Sequence, residues 1–335
     1  MRFDEFTATG TGSEVLLAEK VRKSYGDRTA LEGLSFSLGA GRVLGFLGPN
    51  GAGKTTAIRI LTTILKPTSG RFVVDGIGSE YPMQVRSKIG VLPENLGFPK
   101  EVAAIDYLSF FGQLYGRTSA QAKAKGLALL EEVGLSKRAR SPIRSYSRGM
   151  RQRLGIARAL VNDPVVVFLD EPTLGLDPRG QRELLELVRR VARRAGVVLC
   201  THSLSEVEGV CDDVVILSSG RVVASGTVAE VIGIATRSTD GRRVIRIHVP
   251  NGSVEDAQRV LAMVPSVIGV TPLGEATGWV GVEMVDPNGD ASVDHHVTNA
   301  ILEALIRAEI SVLNFEAVGG NLHDAFLQLT EGASV

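Results

Sequence analysis

The stretch Gly48-Pro49-Asn50-Gly51-Ala52-Gly53-Lys54-Thr55 constrains this chain more than any other. It matches the spacing G-x-x-x-x-G-K-[ST] in full. A short apolar run, Val43–Leu47, leads into it, and a helical pattern from Lys54 to Leu65 leads out of it, stopped by Pro67. Glycines let the backbone wrap closely round an anion, so that successive N–H groups point inward. The helix N-terminus adds the positive end of its dipole. Lys54 can reach the β and γ phosphates of a nucleotide, and the Thr55 hydroxyl can ligate Mg²⁺. Residues Gly48 to Thr56 are therefore the expected nucleotide-binding set.

A second run answers the first. Val165 to Leu169 is continuously apolar and mostly β-branched, as in a strand buried on both faces, and it ends in Asp170-Glu171. That places two carboxylates at the carboxyl edge of a sheet, where ligands bind in open α/β folds. Asp170 is expected to hold Mg²⁺, and Glu171 to position and polarise an attacking water.

Around these motifs, strand-like and helix-like patterns alternate. Strands are expected at 15–24, 34–38, 43–47, 71–74, 165–169 and 197–200. Helices are expected at 105–115, 120–133, 150–160 and 181–195, giving a mostly parallel α/β sheet. Past residue 240 the composition shifts. From Asn251 onward there are 12 acidic residues against Arg259 and Arg307, so the first 250 residues hold 35 basic and 25 acidic residues, a net of +10. This marks a domain boundary. Beyond it the order β-α-β-β-α-β fits a small ferredoxin-like α+β domain at 240–332, with a capping box at Ser253/Asp256 opening its first helix. Residues 1–14 read as a flexible tail.

The 335-residue chain is 44% hydrophobic and 22% charged, ordinary for a globular protein. No run approaches the ~18 apolar residues of a membrane helix, and no signal peptide is seen, so a cytoplasmic location is expected. Cys200 and Cys211 suit a reducing compartment. No basic run is dense enough to suggest nucleic acid. Asp294-His295-His296 is a weak metal motif, because adjacent histidines on a helix point in different directions.

Between the two phosphate-site motifs lies Ser145-Tyr146-Ser147-Arg148-Gly149-Met150-Arg151-Gln152-Arg153, immediately before a helix and then the acidic strand. This segment resembles the signature of ABC transporter ATPases, in the Y-S-x-G-M form of ABC-2 type exporters. The resemblance covers about residues 15–230. It implies a P-loop ABC ATPase domain at 15–236, with an antiparallel β subdomain and a helical subdomain at about 95–160. It also implies ATP hydrolysis with Mg²⁺, peripheral association with the inner face of the membrane, and a separate integral membrane permease. In such proteins two copies sandwich two ATP molecules, and Ser147 and Gly149 of one copy touch the nucleotide of the other. Tyr25 resembles the aromatic residue that stacks on adenine, with a core or surface tyrosine as the alternative. His202 resembles the switch histidine that contacts the γ-phosphate. Asp177 resembles the aspartate linking the two sites, with a turn aspartate before Pro178 as the alternative.

Glu94 stands where the family usually has glutamine and keeps a metal-ligating oxygen. Arg148 replaces a glycine and Met150 a glutamine. The aromatic residues Phe98, Tyr107, Phe110, Phe111 and Tyr115 mark where a permease helix is expected to dock, unless they pack the helical subdomain. The closing run Asp324-Ala325-Phe326-Leu327-Gln328-Leu329-Thr330 resembles that of accessory domains in the same group, with regulation or dimer clamping as its implied role. A non-transport ABC ATPase or a nucleotide-sensing module is the alternative function.

Overall fold

The computed structural model describes residues 14–236, 242–265, 267–273, 277–285, 295–317 and 322–331. The expected N-terminal tail, apart from Glu14, and Asp294 of the histidine motif lie outside the described residues. The chain divides into two compact units, residues 1–228 and 229–335.

The first unit opens with strands β1 (Glu14–Tyr25) and β2 (Arg28–Gly39), an antiparallel hairpin. Alternation sends Leu16, Ala18, Leu34, Phe36 and Leu38 into the core. β3 (Val43–Leu47) is buried at every position and delivers the chain into the glycine loop and helix α1 (Lys54–Leu61). The helix ends before the expected Leu65. The Thr62 hydroxyl donates back to the Ile58 carbonyl at 2.7 Å, and Thr63 turns left-handed at φ +62°. β4 (Ser69–Val74) and β5 (Ile77–Gly78) complete an antiparallel sheet of order β2-β1-β4-β5.

Next come α2 (Pro82–Lys88), β6 (Ile89–Leu92) and three helices, α3 (Ala104–Leu114), α4 (Ser119–Glu132) and α5 (Arg148–Ala159). Thr118 and Gln121 cap α4 reciprocally. The chain then runs through β7 (Val166–Asp170), α6 (Pro178–Ala192), β8 (Gly196–Cys200), α7 (Leu204–Val210), β9 (Asp213–Ser218), β10 (Arg221–Thr227) and α8 (Val228–Thr236). The larger sheet has the order β10-β9-β3-β8-β7-β6. It is parallel except for β10 at its edge. Strands β6, β9 and β10 are not among those expected, although β9 carries the apolar run Val214-Val215-Ile216-Leu217. β3, β7 and β8 point the same way, so the glycine loop, Asp170-Glu171 and Thr201-His202 all emerge at one edge.

The second unit holds α8 from Ala229 on; β11 (Arg242–His248), α9 (Val254–Leu261), β12 (Val267–Pro272), β13 (Trp279–Val285), α10 (His295–Arg307) and β14 (Asn314–Ala317) then precede α11 (Leu322–Glu331). The antiparallel order β12-β13-β11-β14 is that of the expected ferredoxin-like sandwich. Ile245, Ile247, Val280 and Val282 of the sheet pack with Leu261, Ile301 and Leu305 of the helices. The expected capping box is not formed. A 3₁₀ turn, Asn251–Ser253, leads into α9, and the Ser253 side chain makes no cap bond. Glu255 and Asp256 in the first turn complement the helix dipole instead.

Phe168 sits in mid-strand on β7 with no exposure and belongs to the core behind the glycine loop. Phe168→Ala should lower unfolding free energy by about 3–5 kcal/mol, as read from urea denaturation. A loss well under that range would mean that the core relaxes into the space.

Candidate functional site

The glycine loop owes its path to two close approaches. A β-carbon on Gly48 would lie 2.4 Å from the Leu217 carbonyl oxygen, and one on Gly53, at φ +107°, 2.8 Å from that of Ala30. Only glycine lets the loop nest against these segments. The Lys54 ammonium donates to the carbonyl oxygens of Gly48 at 2.5 Å and Pro49 at 3.1 Å, so it lies across the loop's mouth. A cleft of about 620 Å³ opens there, lined by Asn50 to Thr56, Glu94, Asp170, Glu171, Leu174 and His202.

Three carboxylates face that cleft. Burial is the main reason the Asp170 carboxyl rises from 3.8 to about 6, and the neighbouring charges of Glu94 and Glu171 push it further. Arg59 and Lys54 oppose the rise without cancelling it. A divalent cation would offset this repulsion, and the hard oxygen donors of Thr55, Glu94 and Asp170 suit Mg²⁺. Among the described residues no group of three or more His, Cys, Asp or Glu could hold a metal alone. Mg²⁺ here would complete its shell with phosphate oxygens and water.

Glu171 adopts φ +48°, unusual for a residue with a side chain. Its N–H donates to the Cys200 carbonyl at 2.9 Å, tying the end of β7 to the end of β8. Its carboxylate oxygens lie 2.9 and 3.0 Å from His202 Nδ1. The histidine side chain is 61% exposed and the glutamate 16%, so the pair has a part-buried acid and an open imidazole.

Tyr25 does not line the cleft. It ends β1 half-exposed, with the Lys23 ammonium 5.1 Å from its ring centroid. Arg28, Thr29 and Ala30 on the far side of the hairpin turn line the cleft in its place.

Ser147, Gly149 and Asp177 lie elsewhere, in a cavity of about 520 Å³ that has no lining residue in common with the first. The Ser147 hydroxyl caps α5 by accepting the Met150 N–H at 3.2 Å. The Asp177 carboxylate caps α6 by accepting the Gly180 N–H at 3.1 Å. Arg148 lies over Gly175, where a β-carbon would be 2.6 Å from its Cζ.

Comparison with known proteins now bears on this arrangement. Residues 31–174 match the family described as ABC transporter. Over 324 residues the chain is 34% identical to the linearmycin resistance ATP-binding protein LnrL of Bacillus subtilis, covering 94% of this chain and 98% of that one. The chain belongs to the ABC transporter ATP-binding proteins. The Nod factor export ATP-binding protein I of Paraburkholderia xenovorans is 38% identical over 317 residues, 93% of this chain and 95% of that one. Among solved structures, cbiO1 from Clostridium perfringens, part of the ABC transporter complex cbiONQ, superimposes with a TM-score of 0.61 at 29% identity. It covers 65% of this chain and 90% of that one.

This ABC transporter ATP-binding protein is thus an ATPase whose hydrolysis is coupled to transport. Sequence reasoning passed over several parts of its cleft. Ser219-Gly220, a turn dipeptide after β9, forms one wall, and Arg28 to Ala30 another. The Ser-Gly pair was a readable turn signal; nothing local in Arg28-Thr29-Ala30 points to a ligand.

Gly48→Ala should abolish binding of a fluorescent ATP analogue, because the added carbon meets a backbone oxygen that cannot rotate away. Retention of wild-type affinity would show the loop to be pliable. In the free protein, ionising Asp170 is harder in the folded than in the unfolded state. The resulting penalty is absent below about pH 4, grows toward about pH 6 and is complete above it. Asp170→Asn should therefore raise the urea midpoint at neutral pH and change it little near pH 4. Equal effects at both would remove Asp170 as the cause.

Proposed function

We propose that this chain powers an export pump, with two copies closing over two ATP molecules and a separate membrane permease receiving the motion. The observation that carries the reading is the separation of the two cavities. The cleft around Lys54 offers cations, loop amides and carboxylates to one face of a nucleotide. The helix N-terminus and Ser147 offer a complementary anion site on another surface. One chain cannot fold its Ser147 onto its own Lys54, whereas two copies related by a twofold axis supply each other.

The roles follow from position. Lys54 and the loop amides hold the phosphates, and Thr55, Glu94 and Asp170 hold Mg²⁺. When bound, Mg²⁺ supplies positive charge that stabilises the phosphoryl oxygens as charge builds on them. Glu171 accepts a hydrogen bond from the attacking water. His202, held by Glu171 at one ring nitrogen, turns its other nitrogen to the γ-phosphate. Ser147 and Gly149 of the partner copy close the site, with Asp177 capping the adjacent helix. ATP bridges the copies and favours closure; cleavage removes the bridge.

Export is supported by the names of the relatives, which confer linearmycin resistance or export Nod factor. Among the described residues no helix is long and apolar enough to cross a membrane. The permease is accordingly assigned to another chain, with this one docked at its cytoplasmic side. The aromatic docking site narrows. Phe98, Tyr107 and Phe111 stack edge-to-face at 5.2 and 5.0 Å, and Tyr107 is buried. These rings pack the helical layer. Phe110, Leu114 and Tyr115 are exposed on α3 and just beyond it, and remain for a permease helix.

With ATP and Mg²⁺, Glu171→Gln should double its mass in light scattering, and adding Ser147→Arg should keep it single. A single mass for Glu171→Gln would overturn the two-copy reading. Replacing Phe110, Leu114 and Tyr115 together with alanine should leave ATP binding intact and uncouple hydrolysis from transport in vesicles containing the permease. Unchanged transport would move the docking site elsewhere.

A further inference from the structure

Glu206 on α7 is the one carboxylate among the described residues that is buried, at 6% exposure. Among the described residues no cation pairs with it. Its oxygens are used on two threonines from different strands' ends. The Thr173 hydroxyl donates to Oε1 at 2.7 Å and the Thr201 hydroxyl donates to Oε2 at 2.9 Å, both bonds buried. Thr173 and Thr201 are themselves buried, at 2% and 0% exposure. The Thr201 oxygen also accepts the Ser203 N–H at 3.0 Å, fixing the turn that carries His202.

These bonds join the two segments that matter for hydrolysis. Thr173 follows Glu171 by two residues in the loop leaving β7, and Thr201 immediately precedes His202 at the end of β8. The backbone bond from Glu171 to Cys200 joins the same segments on their other side. Burying a carboxylate without a counter-cation is unfavourable unless its lone pairs are satisfied. Apolar residues in place of the whole cluster would have served stability as well.

We propose that Glu206 is a positioning residue for ATP hydrolysis. Through Thr173 and Thr201 it sets the spacing between Glu171 and His202, and it holds Glu171 in its left-handed backbone conformation. This rests on the reading that Glu171 and His202 perform the hydrolysis. Glu206 lies outside the lining of the cleft.

The test uses the full chain and separates position from stability. Thr173→Val keeps side-chain volume and removes one bond. It should lower kcat by about tenfold or more, since small misplacements of reacting groups have effects of that size. The KM for ATP should stay within about threefold, because the phosphate-binding loop is untouched. Thr173→Ser restores the hydroxyl and should recover most of kcat.

The triple variant Glu206→Leu, Thr173→Val, Thr201→Val removes the whole polar network and leaves an apolar cluster, which should melt at or above the wild-type temperature. It should still lose kcat. A folded triple variant with wild-type kcat would overturn the proposal and leave Glu206 a packing residue. If the triple variant does not fold, Thr173→Val decides: an unchanged kcat, or a kcat loss that Thr173→Ser does not recover, overturns it equally. Glu171→Gln and His202→Ala run alongside. Full turnover in those two would defeat the underlying assignment of Glu171 and His202, whereas their loss together with silent Thr173 variants would defeat the positioning role alone.

Discussion

Strands β3, β7 and β8 present only apolar side chains to the core until their ends, and each then releases a charged or phosphate-binding segment at the same sheet edge. The chemistry of the protein depends on that constraint. A parallel sheet buried on both faces cannot slip by one residue without moving a polar group inside. Its rigidity is therefore passed to Lys54, Asp170, Glu171 and His202, none of which is placed by its own loop alone. The Glu171–Cys200 backbone bond and the paired threonines around Glu206 continue the sheet's order one step beyond its last ladder bond.

That edge is electrostatically unfinished. Glu94, Asp170 and Glu171 crowd one side of the cleft, and the Asp170 carboxyl is held near 6 by burial and by its neighbours. Lys54 meanwhile lies on loop carbonyls. A nucleotide with Mg²⁺ would give both a partner: the phosphates would take the lysine and the loop amides, and the carboxylates would face the metal. Glu94, where the family usually has glutamine, adds charge to this cluster, so metal binding and the titration of Asp170 should be more tightly linked than with a neutral amide.

Much of this was legible in the sequence because the signals are local. The glycine loop, the acid pair after an apolar run and the signature segment each declare their chemistry within about ten residues. The element order past residue 240 was enough to name the second unit's sandwich, since few sheet orders satisfy β-α-β-β-α-β with short connections. Failures arose where tertiary contacts decide. Ser253 does stand at the N-cap of its helix, but as the last residue of a 3₁₀ turn its side chain makes no cap bond. Tyr25, which resembles the adenine-stacking residue, ends β1 with its ring beneath the Lys23 ammonium, a contact no local pattern announces. Of the aromatic residues with docking or packing as the two readings, Tyr107 is buried and Phe111 part-buried, both in contact with Arg158. Glu206 gave no sign at all, because its partners lie 33 and 5 residues away in sequence and meet only once β7 and β8 pair.

The central claim is that the loop around Lys54 in one copy is completed by the helix cap at Ser147 in a second. Intermolecular disulfide trapping addresses it directly, since the native thiols Cys200 and Cys211 are buried. A chain carrying Asn50→Cys is mixed with one carrying Arg148→Cys in the Glu171→Gln background. The account predicts a cross-linked heterodimer that forms with ATP and Mg²⁺ and not with ADP. No cross-link under either condition, or one equally abundant without nucleotide, would contradict it.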